Sequence, residues 1–437
     1  MILSSVDRSA ISFLKRKPAE EFALKLIQHT ACFLFVAGFS VSGISQEIGR
    51  PIQTLTLQQA IERALANYPA LQIQRYEIEQ ALGQKTTAGL LPNPVLSYHK
   101  EDLNLGGQKV GEEIFSAGLP LNFLWNRWSQ TNAAEAQVEA SNLALANVQR
   151  LVTFEVQKAF VEYYYSGQSY EAWQKAAAVF RQAATTGKIR LTDGDISGYE
   201  QQRIALEQQR YQKAAGEAQV EFINSKRRLA FLLDPAQSEM QFEPASDFQT
   251  SATEINLEKL LAHAMQNRPD LQAARAISGS KQAALSAAKW QRLPEASVSA
   301  GYEKQVDDFK GAVIQVNLGF PLFDRNQGEV RSARAAHEQQ ITATDLLEKQ
   351  AALEVRQAYD RYRLYRELLE ARTVEQPESM LQIAQFSYAE GEMQLIELLD
   401  GVRAYSEAFQ TRFDLLLQYQ LSIFELEKAA ATSLANF

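Results

Sequence analysis

The chain has 437 residues, 46% of them hydrophobic and 22% charged, with few Gly and Pro and a net charge of −8. Such a composition excludes a disordered or collagen-like chain and allows a large buried core. The mild acidity, with no basic stripe, excludes nucleic acid as a partner.

The first element in chain order is an apolar run over about residues 31–44 (ACFLFVAGFSVSGI), preceded by Lys15, Arg16, Lys17 and Lys25. It is shorter than the roughly 20 apolar residues a spanning helix needs. Gly43 and Ser45 sit at −3 and −1 of a possible cut before Gln46, so residues 1–45 are expected to be a secretory signal peptide. A retained N-terminal anchor is the alternative. Cleavage would remove Cys32, the single cysteine, and with it any disulfide, thiolate nucleophile or cysteine metal ligand. Cys32 precedes most of the apolar run, so it is not placed as a lipid-anchor cysteine, and release by the ordinary signal peptidase without an acyl chain is expected.

The remainder reads as two internal structural repeats, 46–250 and 251–437. Leu57–Gln72 aligns with Leu257–Gln272 without a gap, pairing Asn67 with Asn267 and Pro69 with Pro269. Proline lacks an N–H and clashes backward, so each Asn-x-Pro ends one helix and starts the next. Leu91-Pro92 answers Leu293-Pro294, and Gly118-Leu119-Pro120-Leu121 answers Gly319-Phe320-Pro321-Leu322. Glu155-Val156, Ala159-Phe160 and Tyr163 answer Glu354-Val355, Ala358-Tyr359 and Tyr362.

Within each repeat the helices are followed by two strands, about Val95–Lys100 and Glu113–Leu119 in the first and Ala296–Glu303 and Ala312–Phe320 in the second. Alternation in Ile114, Ser116, Gly118 and in Val298, Ala300, Tyr302 supports them. Pro120 and Pro321 mark the turns from strand to helix. Long helices come next, about Asn126–Arg190 and Gln327–Tyr388, rich in Ala, Gln, Glu, Leu and Arg and free of proline except Pro377. About 60 helical residues make a rod of roughly 90–100 Å. Each rod is followed by a helix with a three/four-spaced stripe. The first stripe is Ile204, Tyr211, Ala215, Ala218, Phe222, Ser225, Leu229 and Leu232. The second is Val402, Tyr405, Phe409, Leu416, Tyr419, Ile423 and Leu426, interrupted by Arg412. Such spacing predicts coiled-coil packing. Asp193-Gly194-Asp195 and Glu390-Gly391-Glu392 lie between the paired helices, where glycine permits the positive φ of a tight reversal.

Four alternating strands with open edges cannot stand alone as a stable sheet. Only helices and closed barrels satisfy the backbone inside a bilayer, and small barrels start at about eight strands. Strands that span a membrane must therefore be pooled among subunits. The alternative is a soluble β-cap on a coiled-coil stalk.

In this layout the chain resembles the TolC-like outer-membrane efflux family. The carrying features are the N-x-P-x-L start of each repeat, the G-x-P-L after each second strand, and the Gly-centred hairpins. The last helix opens Tyr388-Ala389-Glu390-Gly391 and runs through Ile396-Glu397-Leu398-Leu399-Asp400. The run Leu191-Thr192-Asp193-Gly194-Asp195-Ile196-Ser197 resembles the CzcC-like branch, which is associated with export of divalent heavy-metal ions. The resemblance implies a mainly α chain with a small β part: a long α-helical coiled-coil barrel plus four strands per chain in a 12-stranded transmembrane β-barrel. It implies a homotrimer in the outer membrane and its lipid, with a long periplasmic part. It further implies a periplasmic adaptor docked on the hairpin tips (Asp193, Gly194, Asp195, Ile196, Ser197; Glu390, Gly391, Glu392) and an inner-membrane pump of the RND type. Glu397 and Asp400 match the family's acidic gate motif, and Glu200 takes the equivalent place in the first repeat. Met393 stands where some members carry Arg, so no salt-bridge latch is implied there.

No catalytic residues, cofactor or metal site are expected. His99, His263 and His337 fall on different elements without partners at metal-ligand spacing. No G-x-S-x-G, phosphate loop or nucleophile with acid/base partners occurs. Asp307-Asp308 reads as a solvated turn. The competing readings are a drug, metabolite or protein-secretion duct of the same fold, a non-conducting envelope stalk, and a periplasmic adaptor. The adaptor reading predicts one hairpin with β-rich domains instead of two.

Overall fold

The computed structural model describes residues 53–237, 241–245, 248, 255–371 and 377–434. The expected signal peptide with Cys32, and the junction between the two repeats, lie outside the described residues.

Two short helices open each half. Thr56 caps α1 (Leu57–Asn67): its hydroxyl accepts from the Gln59 N–H while the Gln59 side chain accepts from the Thr56 N–H. Asn256 caps α5 (Leu257–Asn267) through the Lys259 N–H. Pro69 and Pro269 then occupy the first positions of α2 (Pro69–Gly89) and α6 (Pro269–Trp290), where a missing N–H costs nothing.

Four strands form one antiparallel sheet in the order β2-β5-β7-β8: β2 (Val95–Lys100), β5 (Glu112–Pro120), β7 (Glu295–Gln305) and β8 (Lys310–Gly319). The expected strands recur with shifted ends: β5 begins at Glu112, and Phe320 falls beyond β8. Two pairings escaped the sequence. The loop between β2 and β5 folds into its own hairpin, β3 (Leu103–Leu105) with β4 (Gln108–Val110). In addition, β1 (Gln53–Leu55) pairs in parallel with β6 (Phe242–Pro244), joining segments nearly 190 residues apart.

The first rod, α3 (Phe123–Asp193), is continuous over 71 residues, roughly 105 Å. It reverses into α4 (Gly198–Leu233). The second expected rod is not continuous. Helix α7 runs over Gln327–Glu370, and a separate helix α8 covers Pro377–Ala389 before α9 (Leu395–Ala430). Helix α7 already ends at Glu370, Pro377 takes the first position of α8, where a missing N–H is tolerated, and residues 372–376 lie outside the described residues.

Three apolar cores set the long axis. At the hairpin end, Ala172, Ala176, Ala177, Phe180 and Ala183 of α3 pack with Ile204, Tyr211, Tyr388, Leu398, Val402, Tyr405 and Phe409. Alanines on α3 allow the helices to approach closely. The other two cores draw on positions that align between the halves. Val156, Ala159, Tyr163 and Leu229 pack with Ala60 and Ala64, whereas Val355, Ala358, Tyr362 and Leu426 pack with Leu260 and Ala264. Tyr163 stacks on Phe222 at 5.3 Å and Tyr362 on Tyr419 at 6.1 Å. One turn on, Ser225 and Ser422 each donate to the carbonyl three residues back, at 2.9 and 2.7 Å.

Candidate functional site

The sheet has two chemically different faces. Side chains alternate along a strand, and residues directly opposite across an antiparallel ladder share a face. The register therefore puts Leu96, Tyr98, Phe115, Ala117, Leu119, Val298, Ala300, Tyr302, Ile314, Val316 and Leu318 on one side. Leu96, Tyr98, Phe115, Tyr302, Ile314, Val316 and Leu318 are exposed, and the Tyr98 and Phe115 rings lie 4.6 Å apart. The opposite face carries Ser97, Ser116, Gly118, Ser297, Ser299, Gly301, Gln315, Asn317 and Gly319. Gln315 donates to Asn317 at 2.8 Å. Strands β5, β7 and β8, of 9, 11 and 10 residues, have the length that a tilted membrane-spanning strand needs, about 9–11 residues. Among the described residues no helix is long and apolar enough to cross a membrane.

At the strand-to-helix turns, Pro120 is the last residue of β5, and the next residue, Leu121, donates to the Ala296 carbonyl at 2.7 Å. The Asn122 side chain accepts from the Ala296 N–H at 3.1 Å, fastening the start of α3 to β7. Pro321 lies in the loop between β8 and α7, and Asn326 at its end is left-handed with φ 54°.

At the far end the two helix reversals have matching geometry. Gly194 and Gly391 take φ of 82° and 79°, which a side chain would strain. Asp195 N–H donates to the Arg190 carbonyl at 2.8 Å, and Glu392 N–H to the Ser387 carbonyl at 2.9 Å. Each following helix opens with a reciprocal cap. The Ser197 side chain accepts from the Glu200 N–H at 3.2 Å while the Glu200 carboxylate accepts from the Ser197 N–H at 2.9 Å. The Glu397 carboxylate accepts from the Gln394 N–H at 2.9 Å.

Glu200 and Glu397 thus hold the same third position of α4 and α9, and each is engaged in starting its helix. Glu397 and Asp400 are exposed. Arg403, one turn beyond Asp400, donates to Glu407 at 2.9 Å. Of the tip residues, Asp193, Asp195, Ser197, Glu390 and Glu392 are exposed, and Ile196 packs against the hairpin core beside Met393. The Arg190 guanidinium lies 5.7 Å from the Tyr388 ring centre. Burial pushes the Tyr388 hydroxyl up, Arg190 opposes that, and the charge of Glu200 reinforces it. This end of the molecule therefore carries a set of largely exposed carboxylates on two capped hairpins.

The sequence model of the family described as "Outer membrane efflux protein" matches residues 260–432. Over those residues the chain is similar to this family. The cobalt-zinc-cadmium resistance protein CzcC of Cupriavidus metallidurans is 25% identical over 280 residues, 64% of this chain and 66% of that relative's own length. Among solved structures, the outer membrane channel CmeC of Campylobacter jejuni superposes with TM-score 0.72 at 16% identity, covering 91% of this chain and 93% of that one. The open-state MtrE outer membrane channel of Neisseria gonorrhoeae gives 0.68 at 16%, covering 86% and 89%. The outer-membrane channel OprN gives 0.73 at 17%, covering 86% and 90%. The chain thus shares the fold of these outer membrane channels, a long helical part joined to a small β part.

A grouping that sequence spacing missed lies at the other end of the chain's fold. One donor atom each from His99, Glu101 and Glu112 falls within 4.8 Å of the others. His99 and Glu101 are two apart on one strand edge, a weak local signal. Glu112 arrives only through the ladder, because the Glu101 N–H donates to the Glu112 carbonyl at 2.8 Å. His263, by contrast, keeps local company: Asn267 donates to its carbonyl at 3.1 Å. Asp307 and Asp308 fall in the β7–β8 reversal, Asp308 with φ 67°.

Proposed function

We propose that this protein is the exit duct of a tripartite efflux system, a homotrimer whose pooled strands close into one 12-stranded barrel and whose helices form the periplasmic tunnel. The two-faced sheet carries this reading. Its apolar side suits lipid and its polar, small-residue side suits a water-filled interior. Both edge strands, β2 and β8, have a neighbour on one side only within the chain, as subunit pooling requires. The chain comprises two repeats, 46–250 and 251–437, which places two hairpins per subunit at the tunnel's end.

A periplasmic adaptor docks on the tips Asp193–Ser197 and Glu390–Glu392, and an inner-membrane RND-type pump drives transport. The cargo is a divalent heavy-metal cation, a reading supported by the relative whose name records cobalt, zinc and cadmium resistance. Glu200, Glu397 and Asp400 form the acidic gate. Three copies of these carboxylates in a throat would favour cations and resist anions.

Planar-bilayer conductance of the purified protein, with its oligomer mass measured in detergent, tests the duct. A trimer passing small cation-selective currents supports it. A detergent-independent, non-conducting protein would return the chain to an envelope stalk.

A further inference from the structure

We infer that His99, Glu101 and Glu112, with Glu303 beside them, form a binding site for a first-row divalent cation on the polar face of the sheet, at the end away from the helices. This rests on the duct reading in one respect: that face is the channel interior, so the site is its outer mouth.

The donor set is mixed, one imidazole and carboxylates, which suits zinc or cobalt better than calcium or magnesium. The ladder dictates the assembly. His99 and Glu101 lie on the same face of β2 and its continuation, and Glu101 stands directly across from Glu112. Glu303 of β7 lies diagonal to Glu112 on that face and comes within hydrogen-bonding reach of its carboxylate. Gly111 makes the approach possible: a Cβ there would meet the Glu101 carbonyl oxygen at 2.0 Å. The three donor atoms all lie within 4.8 Å of one another, close enough to converge on one ion.

The two faces of the same strand ends handle charge in opposite ways. On the apolar side, Lys100 donates to Glu113 at 2.9 Å, and Lys304 is opposite Glu113 in the ladder. Charge there is matched. On the polar side, Glu101 faces Glu112 with Glu303 diagonal, and like charges directly opposite are destabilising. A dication at their centre offsets that repulsion and uses the one imidazole nearby. The site opens onto a cavity of about 260 Å³ lined by Glu101, Lys109, Glu112, Gln305 and Asp307. Lys109 is the competing cation, and it sits on the separate β3–β4 hairpin. Largely exposed ligands at an open cavity give a site an ion can leave, which a conducting mouth needs.

The test is zinc uptake by the full-length purified protein in detergent, measured by calorimetry, with the visible spectrum of added cobalt reporting nitrogen ligation. One saturable ion per chain is expected. His99→Ala and Glu112→Gln should each weaken binding about tenfold or more, and His99→Ala should shift the cobalt spectrum. Glu113→Gln, on the other face, should leave uptake unchanged. Circular dichroism and the oligomer mass confirm that each variant is folded. Absence of saturable uptake by the wild type, or equal uptake by folded His99→Ala and Glu112→Gln variants, overturns the site. Bilayer conductance without zinc is read separately: a conducting protein that binds no zinc defeats this inference alone, and a zinc-binding protein that does not conduct defeats the duct alone.

Discussion

Arg268 stands where the first half has Tyr68, between the asparagine and proline that start α6. Tyr68 meets Phe231 edge-to-face at 6.5 Å. Arg268 is instead buried, with its side chain 3% exposed, and donates to Asp270 at 2.7 and 3.1 Å, to Glu354 at 2.8 Å and to the Ala429 carbonyl at 3.2 Å. One guanidinium therefore ties α6, α7 and the end of α9 together. Arg268→Ala would leave the half-buried Asp270 carboxylate with only the longer 3.5 Å contact to Arg150, and breaking a buried pair costs on the order of 3 kcal/mol; denaturant unfolding should read a loss approaching that size. Burial pushes the Asp270 carboxyl up, but the hydrogen bond and charge of Arg268, with the charge of Arg150, hold it below the ordinary aspartate range. Its stabilising contribution is therefore complete above about pH 4 and is lost as pH falls through the lower folded value. Denaturation curves taken from about pH 5 downward through the acid range should show that loss, and Asp270→Asn should flatten this part of the profile. Tyr163 is a parallel case without charge. Burial pushes its hydroxyl up to about 12, and it donates to the Phe242 carbonyl at 3.0 Å. Tyr163→Phe should cost about 1 kcal/mol and loosen the β1–β6 pair, visible as faster amide exchange there.

At the scale of helices, the reversals and caps set what a gate experiment can mean. Glu397→Ala removes a charge and also a helix-starting hydrogen bond, so changed conductance in that variant would not isolate the gate. Glu397→Gln keeps the reciprocal cap, since Gln serves at that position as Gln59 does in α1. Paired with Asp400→Asn, it should raise conductance and weaken cation selectivity in the bilayer while circular dichroism stays unchanged. Unaltered selectivity in the folded double variant would remove the gate role from these residues. Gly194→Ala and Gly391→Ala force a side chain into the left-handed region at a cost of about 1–2 kcal/mol each. The effect should appear as faster hydrogen exchange in the last turns of α3 and α8. Their neighbours Asp193 and Glu390 tolerate exchange to Ala because both are exposed on right-handed backbone.

For the molecule as a whole, the sheet decides the solvent. A row of exposed Leu, Tyr, Phe, Ile and Val on one face of a sheet is a contiguous apolar patch of the kind that marks a membrane or partner surface. The protein should precipitate when detergent is removed and recover its oligomer mass in lipid. Replacing Ile314 and Val316, midway along the edge strand β8 on the apolar face, with Lys should impair membrane insertion. Gln315→Lys, between them on the polar face, should insert normally and alter conductance. Equal insertion of all three variants would contradict the assignment of the faces.

Much of this architecture rests on local signals. The two Asn-x-Pro breaks, the alternation in β5 and β7, the Gly194 and Gly391 reversals and the stripes on α4 and α9 depend on residues within one or two turns of each other. Backbone sterics and side-chain period suffice to read them. The opening of α8 at Pro377 was also locally encoded, since proline suits the first position of a helix. The partnership of β1 with β6, the burial of Arg268, and the meeting of His99 with Glu112 were not legible. Each depends on ladder register and helix packing across tens to hundreds of residues, where no periodicity links the partners. Spacing along the chain sets which face a residue occupies on its own element. Only the assembled sheet and helix bundle decide which face of another element it meets.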